Sequence, residues 1–353
     1  MIRTESIAQD GAKIKPSDFD IDEMIRTGQA LKDAAGPGGG VETKEERQAA
    51  LLAEGAHDEG NAQATHRLHG GRFAFNDALG WMHHTGTHWA TDGAEQEVDR
   101  AIVDTLGARV AAAFAVDPGR YESLIKACIP NRSRVQGAKY LLGSLAVVSL
   151  AGFDTDPDML NCQNGVLDLR TGAIAKHSPA QKFTHCATVD YDPDADPRAW
   201  VDWLTATVGA EMCDWLQMAV GYSLTGHTRE EVLFYLFGPS RAGKGLFSEV
   251  LLALLSKPVA TSVNFDTFTA QRTGDSQNFD LAPLRPTRIV FASESNAYER
   301  FNEAKVKALT GGDEIYCAFK HRQFFSYRPA FKIWLMSNQP VNADPDDDAV
   351  WGR

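Results

Sequence analysis

Neither a cysteine pair nor a long apolar run is found in the 353-residue chain. The five cysteines, Cys128, Cys162, Cys186, Cys213 and Cys317, are odd in number and form no C-x-x-C. That excludes a disulfide framework or a cysteine zinc site and fits a reducing compartment. The N-terminus, MIRTESIAQDGAKIK, has no apolar core, so no secretory signal is expected. The longest apolar stretch, Tyr140 to Phe153, is interrupted by Gly and Ser and is too short to span a bilayer. The expectation is a soluble, cytoplasmic protein with no membrane partner. Basic charge is also scarce: 35 Lys and Arg face 47 Asp and Glu, for a net charge of −12. Such a chain does not coat DNA through its overall field, so any nucleic-acid contact has to come from a local basic element. No internal repeat has a fixed period.

Composition is otherwise that of a globular protein, with 43% hydrophobic and 23% charged residues. At about 150 residues per domain, two domains and a tail are expected. Residues 1–70 hold Gly36-Pro37-Gly38-Gly39-Gly40 and a charged, Ala-rich stretch. They read as a flexible arm with one short helix around Lys44 to Glu54, because little apolar surface is available to offset chain entropy. Residues 71–210 read as a mixed α+β, largely helical domain. Short strands are expected near Arg72–Phe75, Gly80–Trp81 and His88–Ala90. A helix is expected from Glu95 to Phe114, with Val98, Ile102, Leu106 and Val110 on one face. A second, more buried helix is expected from Tyr140 to Ala151, a strand-to-turn at Leu167–Gly172, and a further helix from Trp200 to Leu216. Residues 211–353 alternate buried strands (Val232–Phe237, Arg288–Ala292, Phe331–Met336) with helices, including Lys244–Ser256. This predicts an α/β fold with a parallel sheet covered by helices on both faces.

The most informative run is Gly238-Pro239-Ser240-Arg241-Ala242-Gly243-Lys244-Gly245. It matches G-x-x-x-x-G-K and lies between a strand and a helix, the context that a phosphate-binding loop requires. Glycines let successive backbone N–H groups face one anion, and the helix N-terminus adds positive charge. Lys244 can then reach the β- and γ-phosphates. Gly245 departs from the pattern, since Ser or Thr normally ligates Mg²⁺ there.

The second apolar strand ends in Ser293-Glu294-Ser295. A carboxylate at that edge can hold the magnesium shell or orient water. The third strand ends in Ser337-Asn338-Gln339-Pro340. Asn338 suits either a hydrogen bond to a γ-phosphate or a plain turn. Between these strands, aromatic runs flank Lys320-His321-Arg322, which suggests a hairpin with a basic tip. The residues alone fit phosphate-backbone contact or a solvated loop equally.

Together, Gly238 to Lys244, Ala292-Ser293-Glu294, Lys307-Ala308-Leu309-Thr310-Gly311-Gly312-Asp313 and Phe331 to Pro340 resemble superfamily III helicases. Within them the resemblance is to the phage and plasmid primase–helicases, relatives of the poxvirus primase–helicase. Asn164 to Gly172 resembles the domain that precedes the helicase in that group, so the resemblance covers about 75–353. It implies an AAA+-like P-loop ATPase core that uses ATP and Mg²⁺ and moves along single-stranded DNA as a homo-oligomeric, hexameric ring. Other replication proteins are implied as further partners. By this resemblance Lys244 is the Walker A lysine, Glu294 the Walker B carboxylate sharing the metal with Ser293, and Asn338 the sensor. Lys320, His321 and Arg322 line the DNA channel. Arg353, after Asp347 to Trp351, falls where the family supplies an arginine to a neighbour's ATP. Gly352 stands where a first arginine is common, and the chain stops at Arg353, so it reads as C-terminally truncated and without the primase half. The expected function is an ATP-dependent DNA helicase subunit of phage, prophage or plasmid replication. A truncated inactive remnant that binds nucleotide, or a P-loop ATPase acting as a switch or loader, are the alternatives.

Overall fold

A computed structural model describes residues 44–268, 278–293 and 302–338. The expected arm before residue 44, and Glu294 and Arg353, lie outside the described residues. The chain divides into two compact units. The first takes the described residues up to Ala74 together with Gly93–Val147; the second takes Phe75–Asp92 and the described residues from Val148 onward. The chain thus enters the second unit, returns to the first and re-enters the second, a path that no shift in composition announces.

The first unit is helical. It comprises α1 (Lys44–Ala53), α2 (Asp58–His69), α3 (Ala94–Val116), α4 (Glu122–Cys128) and α5 (Arg132–Leu145). Val98, Ile102, Leu106 and Val110 on α3 are all buried, as their spacing predicts. Burying a side chain of this size contributes about 1.5–3 kcal/mol. α2 falls where the sequence suggests an arm. It buries small residues, Gly60, Ala62 and Ala64, which permit close approach without a conspicuous apolar stripe. Arg109 of α3, fully buried, donates to the carbonyls of Leu51, Glu54 and Gly55 and to Asn61 Oδ1. The α1–α2 turn is thereby tied to α3, and the buried charge is satisfied by four acceptors.

The helix expected over Tyr140 to Ala151 lies earlier, at Arg132–Leu145, and Tyr140 is 81% exposed. Asn131 caps it, its side chain accepting from Arg134 N at 3.0 Å. The apolar residues beyond Leu145 lie outside the helix, Leu150 and Ala151 in a 3-10 turn over Leu150–Gly152.

After β1 (Phe73–Asn76), where the chain passes between units, the second unit holds β2 (Gly80–His84) and β3 (Trp89–Ala90). Next comes an antiparallel sheet of β4 (Met159–Cys162), β5 (Gly165–Asp168) and β6 (Ile174–Ala175). α6 (Arg198–Val208) and α7 (Ala210–Leu224) follow, separated at Gly209, whose φ is +85°. The helix expected through Trp200–Leu216 is therefore two helices.

The main sheet is parallel, in the order β7 (Leu233–Phe237), β12 (Lys332–Ser337), β9 (Ile289–Ser293), β8 (Ala260–Asn264). The apolar runs split by parity. Ile289, Phe291, Trp334 and Met336 enter one core with α6, α7 and α8 (Lys244–Leu255). Val290, Ala292, Ile333 and Leu335 enter another. This second face is covered by α9 (Glu303–Thr310), the hairpin of β10 (Ile315–Ala318) and β11 (Phe324–Tyr327), and 3-10 turns. Helices therefore cover one face, while a hairpin and one short helix cover the other. β7 is an edge among the described strands, so of its residues only Phe234 is buried, against the expectation of a wholly buried strand.

The amino-terminal sheet edge is stapled by buried basic side chains. Lys332 Nζ donates to the carbonyls of Thr225, His227 (3.0 Å) and Ala330 (3.1 Å) and lies 5.0 Å from the centre of the Tyr222 ring. Burial and the nearby Arg288 push its pKa down to about 6. The carbonyls and the ring face oppose that push, because each favours the ammonium form. Among the described residues no helix is long and apolar enough to cross a membrane.

Candidate functional site

At the carboxy-terminal edge of the sheet, β7 runs into the loop Gly238–Gly243, and α8 begins at Lys244. Gly243 caps α8 with φ +87° and no side-chain capping bond, so the first-turn amides keep no partner within the helix. A Cβ at Gly243 would lie 3.0 Å from Thr207 Cγ2 and 3.3 Å from Trp203 Cζ2. Glycine is thus required twice, for its dihedral and for the closeness of α6. Arg241 also adopts a left-handed backbone, φ +66°. Such a conformation in a non-glycine residue costs of order 1 kcal/mol and clusters at ligand clamps.

Lys244 Nζ donates to Gly238 O (2.7 Å), Pro239 O (3.0 Å) and Asn338 Oδ1 (2.9 Å). Strand pairing explains how residues 94 positions apart meet. Ser337 is registered with Phe237, and Gly238 N donates to Ser337 O at 3.3 Å, so Gly238 and Asn338 leave the sheet side by side. On the other side of β12, Met336 is registered with Ser293, which is exposed. Lys244, Asn338 and Ser293 are therefore brought to one edge, at the carboxyl ends of three adjacent parallel strands, where ligands bind in open α/β sheets.

The loop residues fit a polyphosphate: helix N-terminal amides with no partner within the helix, a positive-φ glycine and an ammonium whose protein acceptors phosphate oxygens can replace. The donor set for a divalent cation is thinner. Gly245 has no hydroxyl, and a Cβ there would meet nothing within 4 Å, so no steric reason excludes one. Ser293 is the remaining predicted ligand within the described residues. No group of three or more His, Cys, Asp or Glu among those residues could hold a metal ion. This set suits Mg²⁺ carried by phosphates and water, not an all-protein cage.

The predicted basic tip is a hairpin turn between β10 and β11, with Arg322 N donating to Phe319 O at 2.9 Å and His321 at φ +64°. Lys320, His321 and Arg322 are all exposed. Arg322 leans on the β2 turn, since a Cβ at Gly80 (φ +81°) would lie 2.8 Å from its Nη1. The tip thus divides into an exposed arginine that reaches the β2 turn and an exposed Lys320–His321 pair. Sequence reasoning missed Trp203 and Thr207 beneath the loop. Their only sequence signal is an aromatic-rich helix ahead of the glycines.

Residues 62–209 match a family model described as D5 N terminal like. Residues 236–353 match one described as a family of unknown function, DUF5906. A protein of Acanthamoeba polyphaga mimivirus, "Putative helicase L207/L206", is 25% identical over 213 residues, which cover 58% of this chain and 22% of that protein. The chain thus spans about a fifth of the length of this curated relative. Among solved structures, the A form of the apo NrS-1 C-terminal region has a TM-score of 0.36 at 16% identity, covering 55% of this chain and 42% of that one. The apo structure of residues 305–718 of NrS-1 gives 0.33 at 14% identity, covering 50% and 48%. The chain therefore carries a D5 N terminal like segment and is similar to a viral protein whose given name includes helicase.

Proposed function

We propose that the second unit binds and hydrolyses ATP as the motor core of a DNA helicase subunit. In this reading the subunits form a hexameric ring on single-stranded DNA in phage, prophage or plasmid replication, in the cytoplasm. The observation that carries the reading is the bonding of Lys244 to Gly238 O, Pro239 O and Asn338 Oδ1 at the carboxyl ends of β7 and β12. A triphosphate entering this loop offers the ammonium better acceptors than carbonyls, because its oxygens are charged. Lys244 then turns to the β- and γ-phosphates, and Asn338 is released to hydrogen-bond the γ-phosphate or the attacking water. The amides opening α8 hold phosphate oxygens without moving. Similarity to a viral protein named for a helicase supports the same direction.

In this reading Glu294 orients the water, and Ser293 and Glu294 would hold Mg²⁺, which would supply charge neutralisation for the phosphates. Arg353 acts on a neighbouring subunit's nucleotide, and Lys320, His321 and Arg322 contact the DNA backbone. The test is ATP turnover with and without single-stranded DNA, alongside a forked-duplex assay. Turnover is expected to rise with DNA and to fall about 10²- to 10³-fold in Lys244→Ala. Turnover that is absent, or unchanged by Lys244→Ala, removes the motor reading. DNA-stimulated turnover without strand separation would make the protein a switch or loader.

A further inference from the structure

Pairing in the hairpin sets Tyr316 opposite Ser326 and Ala318 opposite Phe324. Tyr316 and Phe324 therefore share one face of the hairpin, while Ile315, Cys317, Phe325 and Tyr327 point to the other and enter the core or pack against it. The two rings stack on each other, with centroids 4.9 Å apart and planes inclined by 11°. Tyr316 is 61% exposed and Phe324 43% exposed. Neither ring enters the core, and among the described residues no other aromatic ring pairs with either.

We propose that Tyr316 and Phe324 form a stacking platform for the bases of single-stranded nucleic acid. This deepens, and rests on, the nucleic-acid reading of the hairpin. Charge favours this occupant. The chain carries −12 overall, yet the platform is joined to exposed Lys320 and His321 at the tip, and exposed Arg328 follows the end of β11. A flat apolar surface beside cations suits a polyanion that has free aromatic faces. A duplex hides those faces inside its own stack, whereas a single strand presents them. Parallel packing of the rings extends naturally into base stacking, and stacking on aromatic side chains accepts any base. Lys320 and His321 would hold the sugar–phosphate chain, while Tyr316 and Phe324 would hold the bases and stop the strand slipping between tip contacts.

The experiment measures binding of the full chain to labelled oligo-dT and to an abasic strand of equal length, at fixed low salt. In the double variant Tyr316→Leu, Phe324→Leu, affinity for oligo-dT is expected to fall about 10- to 100-fold while affinity for the abasic strand stays near wild type. Lys320→Ala is expected to weaken both strands alike. Tyr316→Trp should retain oligo-dT binding, which separates loss of stacking from loss of folding. Unchanged oligo-dT binding in the double variant, or equal loss on both strands, overturns the platform. If Lys320→Ala still weakens binding, the nucleic-acid reading of the hairpin survives. Wild type that binds neither strand overturns both. A change of oligomeric state in the double variant would assign the rings to contact between copies and overturn the platform.

Discussion

At the amino-terminal edge of the parallel sheet, Lys332 donates to three carbonyls beneath the ring of Tyr222; at the carboxy-terminal edge, Lys244 donates to two carbonyls and Asn338 Oδ1. The bonding is alike, and the surroundings are not. Lys332 is sealed, and its acceptors close α7 and the start of β12. Lys244 is only partly covered, and its acceptors belong to a loop bent by Gly243 and Arg241. A lysine amine that water cannot reach is a staple. One that water can reach, held by oxygens a stronger anion can replace, suits the receptor role proposed for Lys244.

Replacing each lysine breaks the comparison most sharply. Lys244→Ala is expected to lose ATP turnover by the factor given above while its melting temperature hardly moves. Lys332→Met should do the reverse, destabilising the second unit by about 3 kcal/mol, because buried carbonyls lose their donor. Calorimetry and turnover on both variants check this. Lost turnover at full stability in Lys332→Met would end the staple assignment.

The two units can be compared through acid. His69 in the first unit is buried, and no hydrogen bond satisfies either ring nitrogen. Burial, then Arg72 and Arg47, push its pKa from 6.5 down to about 4. The unfolded chain therefore takes up this proton first. Stability attached to His69 is complete above pH 6.5 and declines as pH falls toward 4, by about 3 kcal/mol in all. Hydrogen exchange should show α2 and α3 loosening over that window, with a smaller change in β9 and β12, and His69→Phe should flatten the slope. A slope that persists in that variant assigns the effect elsewhere.

The smallest expected effect is at Gly245. Its open surroundings admit a side chain, so Gly245→Thr should fold, gain about 0.5 kcal/mol from the added Cβ in α8, and lower the Mg²⁺ concentration needed for half-maximal turnover a few-fold. A magnesium titration of both proteins decides this, and no change would mean that position 245 does not face the ion.

Much of the sheet was legible because its strands are apolar runs bounded by glycine or polar residues: β9 and β12 shift by a single residue from Arg288–Ala292 and Phe331–Met336. The hairpin and α8 were legible for similar reasons. The start of α5 was missed because the apolar stretch from Tyr140 outweighed a quieter signal, Asn131 ahead of Arg132-Ser133-Arg134. Buried Arg109, Arg288 and Lys332 could not be read at all. Most of their partners are backbone carbonyls distant in sequence, and carbonyls leave no letter in a sequence. At the site, Gly238 to Gly245 and Asn338 were legible as types, but their meeting depended on β12 lying beside β7.

That adjacency sets an order for assembly. β12 is the last described strand to be synthesised, yet it occupies an inner position between β7 and β9. As a nascent chain emerges, the glycine loop is complete about a hundred residues before the neighbour that orders its far side. Until then β7 has no described partner, and β8 and β9 can pair only with each other. Closure over so long a span is slow. A competent cradle therefore arises in one late step, and a chain interrupted ahead of Phe331 would display an unfinished ribbon edge open to foreign strands.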